Sequence, residues 1–291
     1  MPRRPSAGRA PRRPSRARRR TFRFSKLWPS ARRRRRWLRA FRRAPRGTQI
    51  VLSLAILLAI ALAINWIYQV IRKPTELFFP VSGTLFKTPQ QTWRDYGPIF
   101  RKHATDIVTP ELLAGLAQVE GSGNPVARTY WRWSWRLRPF EIYRPATSAV
   151  GMYQITDGTF EEAKHYCIHD HVAVEDGPWN DWHSCWFNSL YFRVIPSHAV
   201  ELTSAYLDVH VRDILARYRN GAATQQQKQN LAALIHLCGA GAAVEYARRG
   251  LRLSEGQRCG DHEARVYIAR VETMRREFSR LAAAEPDPDD P

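Results

Sequence analysis

One carboxylate stands where acid–base chemistry is easily arranged. Leu112, Leu113, Leu116 and Val119 make an apolar stripe at helical spacing, and the run ends on Glu120 before Gly121-Ser122-Gly123-Asn124-Pro125. Thr109-Pro110-Glu111 supplies a cap and a first-turn proline at the other end. Glu120 is therefore expected at a helix carboxy terminus, facing a loop. A carboxyl against apolar walls keeps its proton to higher pH, because desolvation disfavours the anion. That is what a general acid needs.

Other groupings carry weaker signals. Trp131, Trp133 and Trp135 alternate with Arg132, Ser134 and Arg136. Aromatic faces stack on sugars and guanidinium groups bind carboxylates; a loop resting on the domain or on lipid headgroups is the structural alternative. Asp157-Gly158 reads as a turn, with Asp157 capping a helix over 159–165. His165, Cys167, His169, His171, His183 and Cys185 could be taken for metal ligands, but their spacing matches no zinc pattern. Neither metal nor cofactor is expected. The four cysteines are instead expected to pair as Cys167–Cys185 and Cys238–Cys259, because an even count on the export side of a membrane points to disulfides.

The placement outside a membrane comes from charge. The net charge is +20, and residues 1–46 hold 19 Arg and one Lys with no acid. The other 26 basic residues are matched by 26 acidic ones. A nucleic-acid-binding domain would carry its excess on the folded part; here it lies on a tail. Residues 1–46 are Pro-, Ser- and Arg-rich and are expected to be disordered, with Trp28, Trp37, Leu38 and Phe41 placed to rest on anionic lipid or another polyanion. From Arg46 to Arg72 there are 25 residues without a charge, apolar over Ile50–Ile71 apart from Ser53, Asn65 and Gln69. At about 1.5 Å per residue this crosses a bilayer core of roughly 30 Å. A transmembrane helix over 47–71 is expected, amino terminus cytoplasmic and domain outside. A signal peptide cleaved after Ala61-Leu62-Ala63 is the alternative. Residues 72–91, with Pro74, Pro80, Gly83 and Pro89, have linker composition. The domain at 92–284 reads as mainly α, with helices over 93–108, 198–218 (Ser197 as cap), 225–238, 240–249 and 261–284. An acidic tail follows at 285–291. Residues 128–147 fit neither period.

Leu112 to Ala127 resembles the opening of the soluble lytic transglycosylase family, a lysozyme-like domain in which an apolar helix ends in Glu before Asn-Pro. Ser148-Ala149-Val150-Gly151-Met152-Tyr153-Gln154-Ile155 with Thr159 is similar to its second signature, and Glu263 to Ile268 to its third, in family order. Gly121 stands where the family usually has Ser, and Met152-Tyr153 where it has Leu-Met. Ile235 to Gly241 replaces a stretch whose usual Tyr is missing. The resemblance implies a lysozyme-like transglycosylase fold, peptidoglycan glycan strands as substrate, and Glu120 as the one acid/base. It protonates the glycosidic oxygen and then takes the proton of the sugar's 6-hydroxyl, leaving a 1,6-anhydro product. Gln154 would bind the sugar; Ser122, Met152, Tyr153, Tyr267, Trp131 and Trp133 are further substrate-binding candidates. A lysozyme-type hydrolase on the same fold is one alternative. A catalytically lost glycan-binding or scaffold component of an envelope-spanning machine is the other, and a machinery partner fits either enzyme or scaffold. The implied location is the bacterial inner membrane with a periplasmic domain.

Overall fold

The computed structural model describes residues 31–134, 140–178, 180–181, 183–218 and 222–285. It is mainly helical, and it divides into two compact units at Ile60 and Ala61. Trp28, Trp135 and most of the acidic tail lie outside the described residues.

In the first unit, α1 (Ala31–Arg43) precedes the start of α2 (Arg46–Arg72). The expected disorder of residues 1–46 is corrected for 31–43. Arg, Ala and Leu are strong helix formers, and Trp37, Leu38 and Phe41 fall on one side at i, i+1 and i+4. With Leu52 and Ile56 of α2 they line an apolar groove. Helix α2 is long and apolar enough to cross a membrane.

In the second unit, the last turns of α2 are held by the domain. Asn65 and Gln69, one turn apart on the same face, are buried. Asn65 Nδ2 donates to the Tyr143 carbonyl at 2.6 Å and Gln69 Nε2 to that of Phe140 at 2.8 Å. These two polar interruptions of the apolar run are docking residues. The linker reading of 72–91 is also corrected. A 3-10 turn (Pro74–Phe78), α3 (Phe79–Ser82) and the start of α4 (Pro89–Lys102) occupy it. Pro74, Pro80 and Pro89 each sit in a first turn, where a missing N–H costs nothing. Composition that suggests a linker is here helix-start chemistry.

Helix α4 opens with a Thr88–Gln91 capping box, and α5 (Pro110–Gly121) with the Thr109 side chain accepting from the Leu112 amide. Leu112, Leu113 and Leu116 of α5 are fully buried in the core, which also takes Trp93 and Phe100 of α4, Val200, Leu202 and Leu207 of α7 (Pro196–Arg217), Leu231 and Leu234 of α8 (Gln225–Cys238), and Val271 and Phe278 of α10 (Ala264–Ala283). The stretch with no period holds a hairpin, β1 (Trp131–Trp133) against β2 (Tyr143–Pro145), whose strands are too short to show an alternation. Helix α6 (Asp157–Ala163) is capped by Thr156, which corrects Asp157 as cap; α7 starts at Pro196, ahead of Ser197. Strands β3 (Tyr166–His169) and β4 (Val172–Glu175) form a second hairpin. Helix α9 (Ala240–Arg248) follows α8. The last helix begins at Ala264 because β5 (Arg258–Cys259) and β6 (His262–Glu263) take the preceding residues.

Both expected disulfides are present, Cys167–Cys185 and Cys238–Cys259. The second joins the last residue of α8 to β5, and β6 runs directly into α10. Replacing both cysteines of this bridge by Ser frees a loop of 21 residues of separation. It should cost about 3 kcal/mol in the chain-entropy account, read as a lower midpoint in urea for C238S/C259S. An unchanged midpoint would show that the bridge adds nothing.

Candidate active site

Three helices bring one side chain each to a single point. Glu120 is the penultimate residue of α5, and its side chain keeps 18% of its exposure. Tyr267, in the first turn of α10, donates its hydroxyl to Glu120 Oε1 at 2.5 Å. His236, in the last turn of α8, places Nε2 3.7 Å from the same oxygen. Burial pushes the Tyr267 hydroxyl well above its usual range, and the Glu120 carboxylate acts in the same direction. Tyr267 therefore stays a protonated donor throughout the working pH range.

The end of α5 is shaped by a close approach. Ser122 closes the helix in the left-handed region at φ 48°, and its carbonyl accepts from the Lys87 amide at 2.8 Å. A Cβ on Gly121 would stand 2.8 Å from the Met152 Cα and carbonyl oxygen. This contact explains why Gly follows Glu120 here. The four residues Gly151-Met152-Tyr153-Gln154 form a closed loop, pinned by reciprocal backbone hydrogen bonds of 3.1 and 3.2 Å between Val150 and Ile155. Gly151 adopts φ 83°, and a Cβ there would meet the Arg193 carbonyl at 2.5 Å. Arg193 also donates to the Ser148 and Ile155 carbonyls at 3.1 and 2.8 Å.

The substrate-binding candidates separate sharply. Gln154 is half-buried and lines a cavity of about 230 Å³ with Thr156, Thr159, Thr203, Tyr206 and His236. Its Nε2 is committed to the Gly151 and Ala127 carbonyls, at 2.9 and 3.2 Å. Met152 and Tyr153 are corrected: both are fully buried, and their side chains pack the core instead of facing a groove. Among the described residues the Tyr153 hydroxyl has no partner, and its ring meets the His236 ring edge-on at 6.4 Å. Trp131 is half-buried. Its indole N–H donates to Glu76 at 2.9 Å, so it braces the hairpin. Trp133 is 60% exposed, with its ring tilted against that of Tyr143 at 4.8 Å between centroids. Ser122 serves as the helix cap. Asp157 is exposed and pairs with Arg193 at 2.7 Å; it belongs to a different, polar cleft with Arg72, Lys73 and Ser148.

No Asp or Glu lines the Gln154–His236 cavity among the described residues. Nor does any group of three or more His, Cys, Asp or Glu suited to a metal ion occur among them. Cys167 and Cys185 of the suspected cluster are joined, and His171 bonds the Ala104 carbonyl at 2.9 Å.

The chain matches no protein-family model and no curated protein.

Sequence reasoning missed His236 and Arg193. For His236 a signal existed. Gln229, Ala232 and Ala233 are buried on α8, and His236 continues their face at i+7.

Proposed function

We propose that the second unit is a peptidoglycan lytic transglycosylase of the lysozyme-like type. It cleaves the β-1,4 bond between MurNAc and GlcNAc and forms 1,6-anhydroMurNAc. The observation that carries this is Glu120 itself: one mostly buried carboxyl at the end of an apolar helix, its Oε1 held by the Tyr267 hydroxyl, with His236, which also lines the neighbouring cavity, 3.7 Å away. Ordinary glycosidases need two carboxylates, one as acid and one as nucleophile or base. A single carboxyl suffices when the sugar supplies its own nucleophile. Glu120 protonates the bridging oxygen, the 6-hydroxyl attacks the anomeric carbon, and Glu120 takes the hydroxyl proton back.

In this reading α2 anchors the enzyme in the inner membrane with the catalytic domain in the periplasm. The apolar side chains of α1 lie in the cytoplasmic leaflet, and its arginines lie on anionic headgroups. The deciding experiment is digestion of purified peptidoglycan by the full chain in detergent, with mass analysis of the products. Anhydro ends are expected. Muramic ends that carry an added water would make the enzyme a hydrolase. No cleavage at all would favour a glycan-binding scaffold.

A further inference from the structure

Tyr267 and His236 address the same oxygen of Glu120, from different helices. Among the described residues no hydrogen bond or ion pair reaches Oε2. With the Tyr267 hydroxyl donating to it, Oε1 is the carbonyl-like oxygen whenever Glu120 carries a proton. The exchangeable proton then belongs on Oε2, the oxygen left for the sugar.

At 3.7 Å the imidazole is beyond hydrogen-bond range in the resting state. Its side chain is only 12% exposed, so a charge on Glu120 acts on it with little screening by water. The ring is well placed for this. It stands edge-on to the buried Tyr153 ring, and Cys238, two residues on, is bonded to Cys259 ahead of the helix that carries Tyr267.

We propose that His236 is a positioning residue for Glu120. With Tyr267 it holds Oε1, turns Oε2 toward the sugar, and stabilises the carboxylate that exists between the two proton transfers. The proposal rests on the transglycosylase reading above. The proton passes from Oε2 to the bridging oxygen as the bond from that oxygen to the anomeric carbon breaks. The 6-oxygen bonds to the anomeric carbon, and its proton returns to Oε2. His236 gives up no proton at any stage; its N–H closes on Oε1 while the charge lasts.

The test uses the full chain in detergent and soluble glycan oligomers bearing MurNAc–GlcNAc bonds. The variants are His236→Leu, His236→Ala, His236→Asn, Tyr267→Phe and the double variant H236L/Y267F. Leu fills the space without a donor; Asn keeps an N–H. His236→Leu and His236→Ala should lower kcat about 10- to 100-fold, the size of a hydrogen bond to a charged group, with KM within about threefold. His236→Asn should recover part of that loss. The double variant should lose less than the product of the single losses, because both donors act through one oxygen. An unchanged kcat in His236→Leu overturns the proposal. So does a loss confined to KM, or a His236→Asn enzyme no better than His236→Leu. A parent that cleaves nothing overturns the transglycosylase reading and this one with it. An active parent with unaffected His236 variants overturns this one alone.

Discussion

Glu120→Gln should stop peptidoglycan cleavage almost completely, with a loss at or beyond the upper end of the roughly 10²–10⁴-fold span of general acid–base catalysis. The reason is that one side chain serves both proton transfers. Gln keeps the shape, and its amide oxygen can still accept from the Tyr267 hydroxyl that bonds Glu120 now. The second oxygen becomes an amide nitrogen, which can neither give a proton to the bridging oxygen nor take one from the 6-hydroxyl. Core packing around Leu112, Leu113 and Leu116 is untouched, so the thermal melt should overlay that of the parent. Asp157→Asn is the matched control. It removes an exposed ion pair with Arg193, worth about 0–1 kcal/mol, and should keep activity within a few-fold. A Glu120→Gln enzyme that digests at the parental rate, beside a dead Asp157→Asn enzyme, would move the acid from α5 to the first turn of α6.

The helix ending in Glu120 is legible in the sequence because its determinants are local: a Thr cap, a first-turn proline and an apolar stripe at one spacing. Both cysteine pairs are legible from their count and the side of the membrane implied by charge. The apolar run of α2 is legible as a run; Asn65 and Gln69 become meaningful only with the hairpin carbonyls in place. Met152, Tyr153 and Tyr267 all look like groove residues. Only tertiary packing distinguishes the fully buried Met152 and Tyr153 from Tyr267, whose hydroxyl reaches Glu120. His236 lies in the stretch that departs most from the resembled family, where the missing Tyr is more conspicuous than the His that is present. The prolines between α2 and α4 mislead for a physical reason: the same residue ends one element and begins the next.

Glu76, from that misread stretch, should be among the most costly residues to replace. Its carboxyl is fully buried, with Arg128 Nη1 at 2.5 Å, the Trp131 indole at 2.9 Å and Lys73 Nζ at 3.3 Å. Glu76→Gln leaves two mostly buried cations without their counter-charge. Removing one partner of a buried pair costs about 3–5 kcal/mol, and the amide oxygen can still accept from Arg128, so about 3 kcal/mol is expected. For a domain of this size that lowers Tm by roughly 6–12 °C. The loss should depend on pH in a stated direction. Burial pulls the Lys73 amine below its ordinary value of 10.5, and Glu76 pushes it back up. Without Glu76 the folded-state value falls further, while the unfolded value stays. Between the two the unfolded chain binds more protons, so stability rises with pH across that window. The gap between Glu76→Gln and parent should therefore narrow as the pH rises toward the ordinary Lys value of 10.5, as Lys73 sheds the charge that has lost its partner. A constant gap would place the cost on Arg128 alone. Catalysis should suffer along with stability. Arg128 pairs with Val150, and the neighbouring Ala127 carbonyl accepts from Gly151 and from Gln154 Nε2. Glu76 thus fixes the bridge from which the Gly151–Gln154 loop hangs. Glu76→Gln assayed well below its own Tm should still show reduced kcat; a fully active enzyme there would separate the brace from the site.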